Sequence, residues 1–150
     1  MISRVELKGS SSGTQYLSCA INKTDLKPFL EQLKEYVGLA AYDSIVENKL
    51  KRDGDEYHIT VLYGEELKLL REDQLISSLG SAVEFKTIGL GLASKEANTA
   101  YFVTVESEDL NKIRDMGNLP LKDLHITLGF IGSDVHGVPK GASTLITIGN

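Results

Sequence analysis

The sequence has 150 residues, of which 41% are hydrophobic and 25% charged, and this composition excludes a fibre, a disordered tail and a membrane protein. The formal net charge of -5 opposes sequence-independent binding to a long polyanion, so we do not expect a long nucleic acid duplex as a partner. No window approaches the ~18 apolar residues of a membrane span, so we do not expect a membrane as a partner. Cys19 is the only cysteine and the first residues lack the apolar stretch of a signal peptide. We therefore expect a cytoplasmic protein with one domain over residues 1–150.

The first half of the chain is predicted to contain two strands and two helices. Residues 14–22 follow a loop rich in Gly and Ser and are typical of a strand. Thr24 is the predicted N-cap of a helix, because apolar residues recur at helical spacing from Leu26 to Val37. The remaining predicted elements are a polar connecting stretch at 48–55, a strand at 56–63 and a helix at 65–79.

The second half is predicted to contain four strands and one short helix. Ser107 as N-cap and Gly117 as terminator delimit the helix. The predicted strands are 83–92 and 100–106, joined by a polar loop, and 124–131 and 142–148, which flank a loop rich in Gly and Pro.

A short sequence occurs twice, almost half the chain apart. Residues 58–63 read HITVLY and residues 125–130 read HITLGF, so both begin with His-Ile-Thr and an aliphatic residue and end with an aromatic one. A helix and then a strand precede each copy in the predicted order. The repeat therefore predicts two similar lobes, each contributing one such strand.

The repeated strands carry residues suited to phosphodiester chemistry. Because side chains alternate across a strand, His58 and Thr60 share one face, as do His125 and Thr127. If the lobes pack about a pseudo-two-fold axis, all four side chains meet in one cleft. One imidazole can then take a proton while the other gives one, and the threonine hydroxyls can bind phosphate oxygens. This chemistry requires no metal and no cofactor.

Five other residues are candidates for supporting roles. Tyr16 and Tyr63 are candidates for stacking on a nucleotide base, although aromatic residues on strands usually fill cores. Lys140 is a candidate partner for a phosphate, although most loop lysines are solvated. Glu56 and Asp123 lie two residues before the two motif histidines, where they either orient an imidazole or are merely solvated.

Other features of the sequence suggest different kinds of site. The third histidine, His136, is interpreted as a solvated loop residue. A zinc site needs three or four ligands, and neither a HExxH motif nor a pair of cysteines occurs. The glycines of residues 89–91 begin like a dinucleotide-binding motif, but the third glycine is absent. A metal-dependent hydrolase and a nucleotide-binding module without turnover remain alternatives.

The two His-Ile-Thr motifs make the sequence resemble the 2H phosphoesterase superfamily, whose members carry two His-x-Thr/Ser-x motifs. The resemblance implies an α+β, bilobal fold with two antiparallel sheets and outer helices around a central cleft. It also implies that His58 and His125 are the acid/base pair and that Thr60 and Thr127 bind phosphate. Tyr16 is similar in placement to an aromatic residue that stacks on the base in some members.

The size of the chain is similar to that of small phage and viral members, several of which degrade oligonucleotide messengers of host immunity. The resemblance implies a small nucleotide or oligonucleotide substrate: a cyclic oligonucleotide, a 2′-5′ oligoadenylate or a 2′,3′-cyclic phosphate. If the protein is viral, the expected location is the host cytoplasm and the expected role is evasion of antiviral defence.

Overall fold

A computed structural model describes residues 1–9 and 13–146 of the chain. The described strands are β1 (Ile2–Gly9), β2 (Gln15–Ile21), β3 (Tyr57–Leu62), β4 (Ala82–Glu84), β5 (Lys86–Lys95), β6 (Asn98–Glu106) and β7 (His125–Ile131). The described helices are α1 (Lys23–Val37), α2 (Leu39–Asp53), α3 (Gly64–Leu67), α4 (Glu72–Ser78) and α5 (Glu108–Met116), followed by a 3₁₀ turn at Ala142–Thr144. None of these helices is long and apolar enough to cross a membrane.

All seven strands belong to one antiparallel sheet with the order β4-β1-β2-β3-β7-β6-β5. This finding corrects the prediction of two separate sheets. The two halves of the sheet join where β3 pairs with β7, with Ile59 opposite Ile126. Because β3 and β7 are neighbours in the middle of the strand order, the two repeated motifs lie side by side at the centre of the sheet. Both isoleucines are fully buried in the main hydrophobic core.

The first helix begins slightly earlier than predicted. The side chain of Asn22, and not that of Thr24, caps it, because Asn22 Oδ1 accepts a hydrogen bond from the Thr24 backbone N–H at 3.0 Å. Leu26, Leu30 and Leu33 form its buried face, which confirms the predicted amphipathic pattern.

Helix α2 occupies a region where the sequence predicts no helix, and it includes most of the stretch interpreted as a polar connection. It packs against β7, where Ile45 lies against the backbone of Gly129 so closely that a Cβ at position 129 would overlap it. Asn48 Nδ2 also donates to the carbonyl oxygen of Phe130 at 2.8 Å. Contacts with the sheet therefore stabilise a helix whose own sequence pattern is weak.

The buried Lys49 fixes the turn between α2 and β3. Its Nζ donates to the carbonyl oxygens of Gly54, at 2.9 Å, and Glu56, and lies 3.7 Å from the centre of the Tyr57 ring. These contacts satisfy the buried ammonium group and set the position at which β3 begins, one residue before His58.

Strand β1 was not predicted. It pairs with β2 along Val5–Gly9 and with β4 along Ile2–Arg4, so it links two elements that are distant in sequence. Its apolar residues alternate only weakly with polar ones, and just Val5 is fully buried. Pairing with other strands, rather than its own pattern, accounts for this strand.

Three other predicted elements differ in detail. The single helix predicted at 65–79 is divided into α3 and α4. The strand predicted at 83–92 is interrupted at Phe85, where β4 pairs with β1 and β5 pairs with β6. The strand predicted at 142–148 is instead a 3₁₀ turn closed by Thr144 on the carbonyl oxygen of Gly141, after which Leu145 forms one bridge to Gly91. Residues 147–148 of that strand lie outside the described part of the chain.

Candidate active site

The pairing of β3 with β7 brings the two motifs together. Because Ile59 lies opposite Ile126 in an antiparallel pair, Thr60 comes next to His125 and Thr127 next to His58. Burial alternates along both strands: the isoleucines and the residues after the threonines are buried, whereas the histidines and threonines are partly exposed. The four polar side chains therefore share one face of the sheet, as the sequence predicted.

This face forms the floor of a cleft of about 620 Å³. Seven of the residues predicted to be functional line it: Tyr16, Glu56, His58, Thr60, Tyr63, His125 and Thr127. His136, interpreted from the sequence as a solvated residue, is exposed but also lines the cleft. Lys140 instead lines an adjoining cavity of about 250 Å³, which shares Tyr63, His125 and His136 with the cleft.

His58 lies beside aromatic and charged groups. Its ring centre is 5.7 Å from that of Tyr16. Burial lowers the pKa of His58 below its usual 6.5; the carboxylate of Asp53 opposes this shift and the guanidinium of Arg52 adds to it. The imidazole is therefore mainly neutral at neutral pH.

His125 is held by hydrogen bonds at both ring nitrogens. Its Nδ1 lies 2.8 Å from the carbonyl oxygen of Asp123, and its Nε2 lies 3.5 Å from Nζ of Lys140. Phe102 packs against the ring with an edge-to-face geometry. Burial, together with the nearby Lys140 ammonium, lowers the pKa of His125 to about 4, so this imidazole is neutral at neutral pH.

A chain of alternating charges connects helix α2 to His125. Arg52 donates from Nε and Nη2 to Asp53 at 2.8 and 2.7 Å, and from Nη1 to Asp134 Oδ2 at 2.6 Å. Asp134 Oδ1 lies 3.4 Å from Nζ of Lys140, the same atom that approaches His125. The arrangement fixes the loop after β7 against α2 and places Lys140 beside the imidazole.

A comparison with protein families matches residues 15–136 to the family described as "Swiss Army Knife, 2H phosphoesterase domain". The matched segment includes β2 through β7 and hence both motif strands. The chain belongs to the 2H phosphoesterase family. It is therefore an enzyme of the phosphodiesterase class of hydrolases. A search of curated proteins and a search of solved structures each gave no match.

In this 2H phosphoesterase, the acidic residues that precede the histidines differ in their contacts. The carbonyl oxygen of Asp123, not its carboxylate, contacts His125, and Asp123 Oδ2 accepts the backbone N–H of Lys140 at 3.0 Å. Glu56 is mostly exposed and lies 3.8 Å from Lys8. Of these two acidic residues, Asp123 therefore orients the imidazole that follows it, and it does so through its backbone carbonyl rather than its carboxylate.

The two tyrosines line the same cleft but have different neighbours. Burial raises the pKa of Tyr16, whose ring is close to His58. Tyr63 is 45% exposed, and Nζ of Lys122 lies 3.8 Å above the centre of its ring. Lys122 Nζ is buried without a hydrogen-bond partner among the described residues, and burial lowers the pKa of Lys122 to about 8. The Tyr63 ring is its nearest stabilising contact.

Sequence analysis missed the ionic part of the 2H phosphoesterase cleft. Arg52 and Asp53 lie on the unpredicted helix α2, and Asp134 follows β7, far away along the chain. No spacing or motif in the sequence indicates this pairing. Within residues 1–9 and 13–146, no group of three or more His, Cys, Asp or Glu side chains is placed to hold a metal ion.

Proposed function

We propose that this protein cleaves phosphodiester bonds in small cyclic or oligomeric nucleotides without a metal ion, with His58 and His125 as the general acid and base. One imidazole removes a proton from the attacking group, either water or the free ribose hydroxyl beside the phosphodiester, which is the 2′-hydroxyl in a 3′-5′ linkage and the 3′-hydroxyl in a 2′-5′ linkage. The new P–O bond forms as the P–O bond to the leaving group breaks, and the other imidazole gives its proton to the departing oxygen. Attack by the ribose hydroxyl leaves a 2′,3′-cyclic phosphate as product.

The observation that supports this proposal most strongly is the placement of both His-Ile-Thr motifs on adjacent antiparallel strands. The shared register places each histidine beside the threonine of the other motif on the floor of one cleft. A phosphate bound there has an imidazole on either side, which an in-line displacement requires. The negative phosphate also raises the pKa of the acidic imidazole, whose burial otherwise keeps it neutral.

Further residues have roles that suit the same substrate. Thr60 and Thr127 donate hydrogen bonds to the non-bridging phosphate oxygens, whose negative charge grows in the transition state. Lys140 supplies a positive charge to the phosphate. Tyr16 and Tyr63 flank the motif strands and provide aromatic faces for nucleotide bases.

The size of the cleft and the charge of the molecule support a small substrate. A cleft of about 620 Å³ suits a nucleotide or a short oligonucleotide, and a net charge of -5 opposes sequence-independent binding to a long polyanion. The proposed substrates are cyclic oligonucleotide messengers, 2′-5′ oligoadenylate and 2′,3′-cyclic phosphates. We propose a cytoplasmic enzyme that, if viral, removes immune messengers in the host cytoplasm.

A turnover assay tests the proposal. Wild-type protein and the His58→Ala/His125→Ala double variant are incubated in EDTA with 2′,3′-cyclic mononucleotides, 2′-5′ oligoadenylate, and cyclic di- and trinucleotides, and the products are separated by chromatography. We expect the wild type to cleave one of these groups and the double variant to lose at least about 100-fold in rate. His136→Ala is the matched control, because it removes an imidazole from the rim of the cleft, and it retains activity.

Two results contradict the proposal. Activity that EDTA abolishes and a divalent cation restores indicates a metal-dependent hydrolase. Tight binding of a nucleotide by the folded wild type, with the ligand recovered unchanged, indicates a binding module.

A further inference from the structure

We propose that Lys140 is a positioning residue that keeps Nε2 of His125 free of a proton until a phosphate replaces the imidazole as acceptor, so that His125 is the general base and His58 the general acid. This inference rests on the proposed function and adds to it the direction of proton transfer. It also gives Lys140 a role before substrate binds.

The contacts of His125 define its tautomer. The carbonyl oxygen of Asp123 can only accept a hydrogen bond, so Nδ1, 2.8 Å away, carries the proton. The lone pair of the neutral ring is then on Nε2. Nζ of Lys140 lies 3.5 Å from this nitrogen and, as an ammonium group, can only donate to it.

Charged groups on both sides of β7 act on the protonation of the His125 ring. Lys140 follows β7, and Lys122 precedes it; both ammonium groups disfavour a proton on His125. Asp134 and the Asp123 carbonyl favour one, and Phe102 contributes only its ring. Lys140 is 5% exposed, so water screens its effect on the imidazole poorly.

The contacts of Lys140 allow its ammonium group to turn from the imidazole to a phosphate. Its contacts with Asp134 and with His125 are both long, at 3.4 and 3.5 Å. Asp134 keeps a stronger partner in Arg52 at 2.6 Å, so it is not left unpaired when Lys140 moves. An oxygen of the bound phosphodiester, being anionic, is a better acceptor for the ammonium group than a neutral imidazole.

His58 lacks such an arrangement. Among the residues that the structure describes, no side chain donates to either of its ring nitrogens. The charges near it are mixed: the carboxylates of Asp53 and Glu56 favour a proton on the ring, and Arg52 and Lys49 disfavour one. These carboxylates and the bound phosphate favour its protonated form. Nε2 of His125 therefore receives the proton of the attacking hydroxyl, and His58 gives its proton to the leaving oxygen as the P–O bond breaks.

NMR of the free protein tests the role of Lys140 independently of any substrate. The protonated fraction of His125 is measured from its imidazole signals at pH 5 in wild type, Lys140→Met, Lys140→Arg and Lys122→Met. We expect about a tenth of His125 to be protonated in wild type, as a pKa of about 4 implies, and a clearly larger fraction in Lys140→Met. Lys140→Arg keeps the wild-type fraction. Lys122→Met is the matched control, since it removes the same charge from the same cavity, and it shifts the fraction less than Lys140→Met does.

A comparison of leaving groups tests the direction of proton transfer. Two esters of the nucleotide identified by the turnover assay are used, one leaving as p-nitrophenolate, which needs no proton, and one as a nucleoside alkoxide, which does. We expect His58→Ala to slow the nucleoside ester at least about 100-fold more than the aryl ester, whereas His125→Ala slows both equally.

The inference is overturned if Lys140→Met leaves the protonated fraction of His125 at the wild-type value, or if the two alanine variants exchange their leaving-group behaviour. Absence of turnover of every ester contradicts the proposed function instead, and the NMR result then still decides whether Lys140 controls the imidazole.

Discussion

The imidazole of His125 links the chemistry of the cleft to the stability of the protein. In the folded chain its pKa is about 4, whereas in the unfolded chain it has its usual value of 6.5. Between these two values the unfolded state binds a proton that the folded state does not. The contribution of His125 to the free energy of unfolding is therefore fully present above pH 6.5 and is lost as the pH falls from 6.5 towards 4.

This difference predicts how a substitution changes the dependence of stability on pH. His125→Gln keeps a polar side chain of similar size but removes the titration. Between pH 7 and pH 5 we expect the wild type to lose up to about 2 kcal/mol more of its free energy of unfolding than the variant does. Urea denaturation at the two pH values measures the difference, and equal losses in the two proteins contradict it.

For single residues, the sequence predicts the members of the site that lie in the repeated motif. It does not predict contacts between residues that are far apart along the chain. The four motif residues were predicted from alternation along two strands, and the structure places them on one face. The contact of Lys140 with His125 depends on the path of the loop after β7, and the pair of Arg52 with Asp134 depends on helix α2. Neither path is encoded in a local pattern.

Among the elements, α2 and β7 are the pair that gives the cleft its ionic side. Their contact depends on the absence of a side chain at Gly129, whose backbone meets Ile45. The sequence pattern did not predict α2 because Gly38, in a left-handed conformation with a φ of 87°, ends one helix directly before the next begins. Packing on the sheet, rather than helical periodicity, therefore determines this element.

Gly129→Ala tests the packing of α2 on β7. The added methyl group overlaps Ile45, so we expect a loss of about 1–3 kcal/mol in the free energy of unfolding. Gly117→Ala is the matched control, because a Cβ there meets its nearest neighbour at 3.4 Å, an ordinary contact. Thermal or urea denaturation compares the two variants; equal stabilities contradict a close contact between α2 and β7.

Helix α5 is connected to the first motif strand by the buried Arg114. Its Nη1 donates to the carbonyl oxygen of Val61 at 2.8 Å, its Nη2 to the carboxylate of Glu66 at 3.0 Å and its Nε to the carbonyl oxygen of Pro120 at 2.9 Å. Val61 directly follows Thr60 of the first motif. The guanidinium group therefore holds the end of β3 against α3 and α5.

We expect Arg114→Met to lower the free energy of unfolding by about 3 kcal/mol, because it leaves two carbonyl groups without this donor and removes the cation beside the Glu66 carboxylate, which keeps the backbone N–H of Tyr63 as a donor. The matched control is Arg71→Met, which breaks an exposed ion pair with Asp73 and leaves the midpoint of urea denaturation unchanged. A similar midpoint for Arg114→Met and the wild type contradicts the role assigned to the buried arginine.

In the whole molecule, both motif strands belong to one sheet, and this brings the two halves of the site together. The sequence repeat predicted two lobes with a motif each, and it predicted their meeting in a cleft, but it left open how the motif strands are joined. The structure joins them through the pair Ile59–Ile126 at the centre of the sheet. A repeat of six residues contains no information about which strand edges pair, since that depends on the order of all seven strands.

The same arrangement makes the two motifs a single catalytic unit in our account, and the rate of the chemical step tests this most directly. Single-turnover rates are measured for wild type, His58→Ala, His125→Ala and the double variant, with the nucleotide that the wild type cleaves. We predict that each single variant is slowed at least about 100-fold and that the double variant is at most about tenfold slower than the slower single variant. If either single variant keeps a rate within about tenfold of the wild-type rate, the account is contradicted.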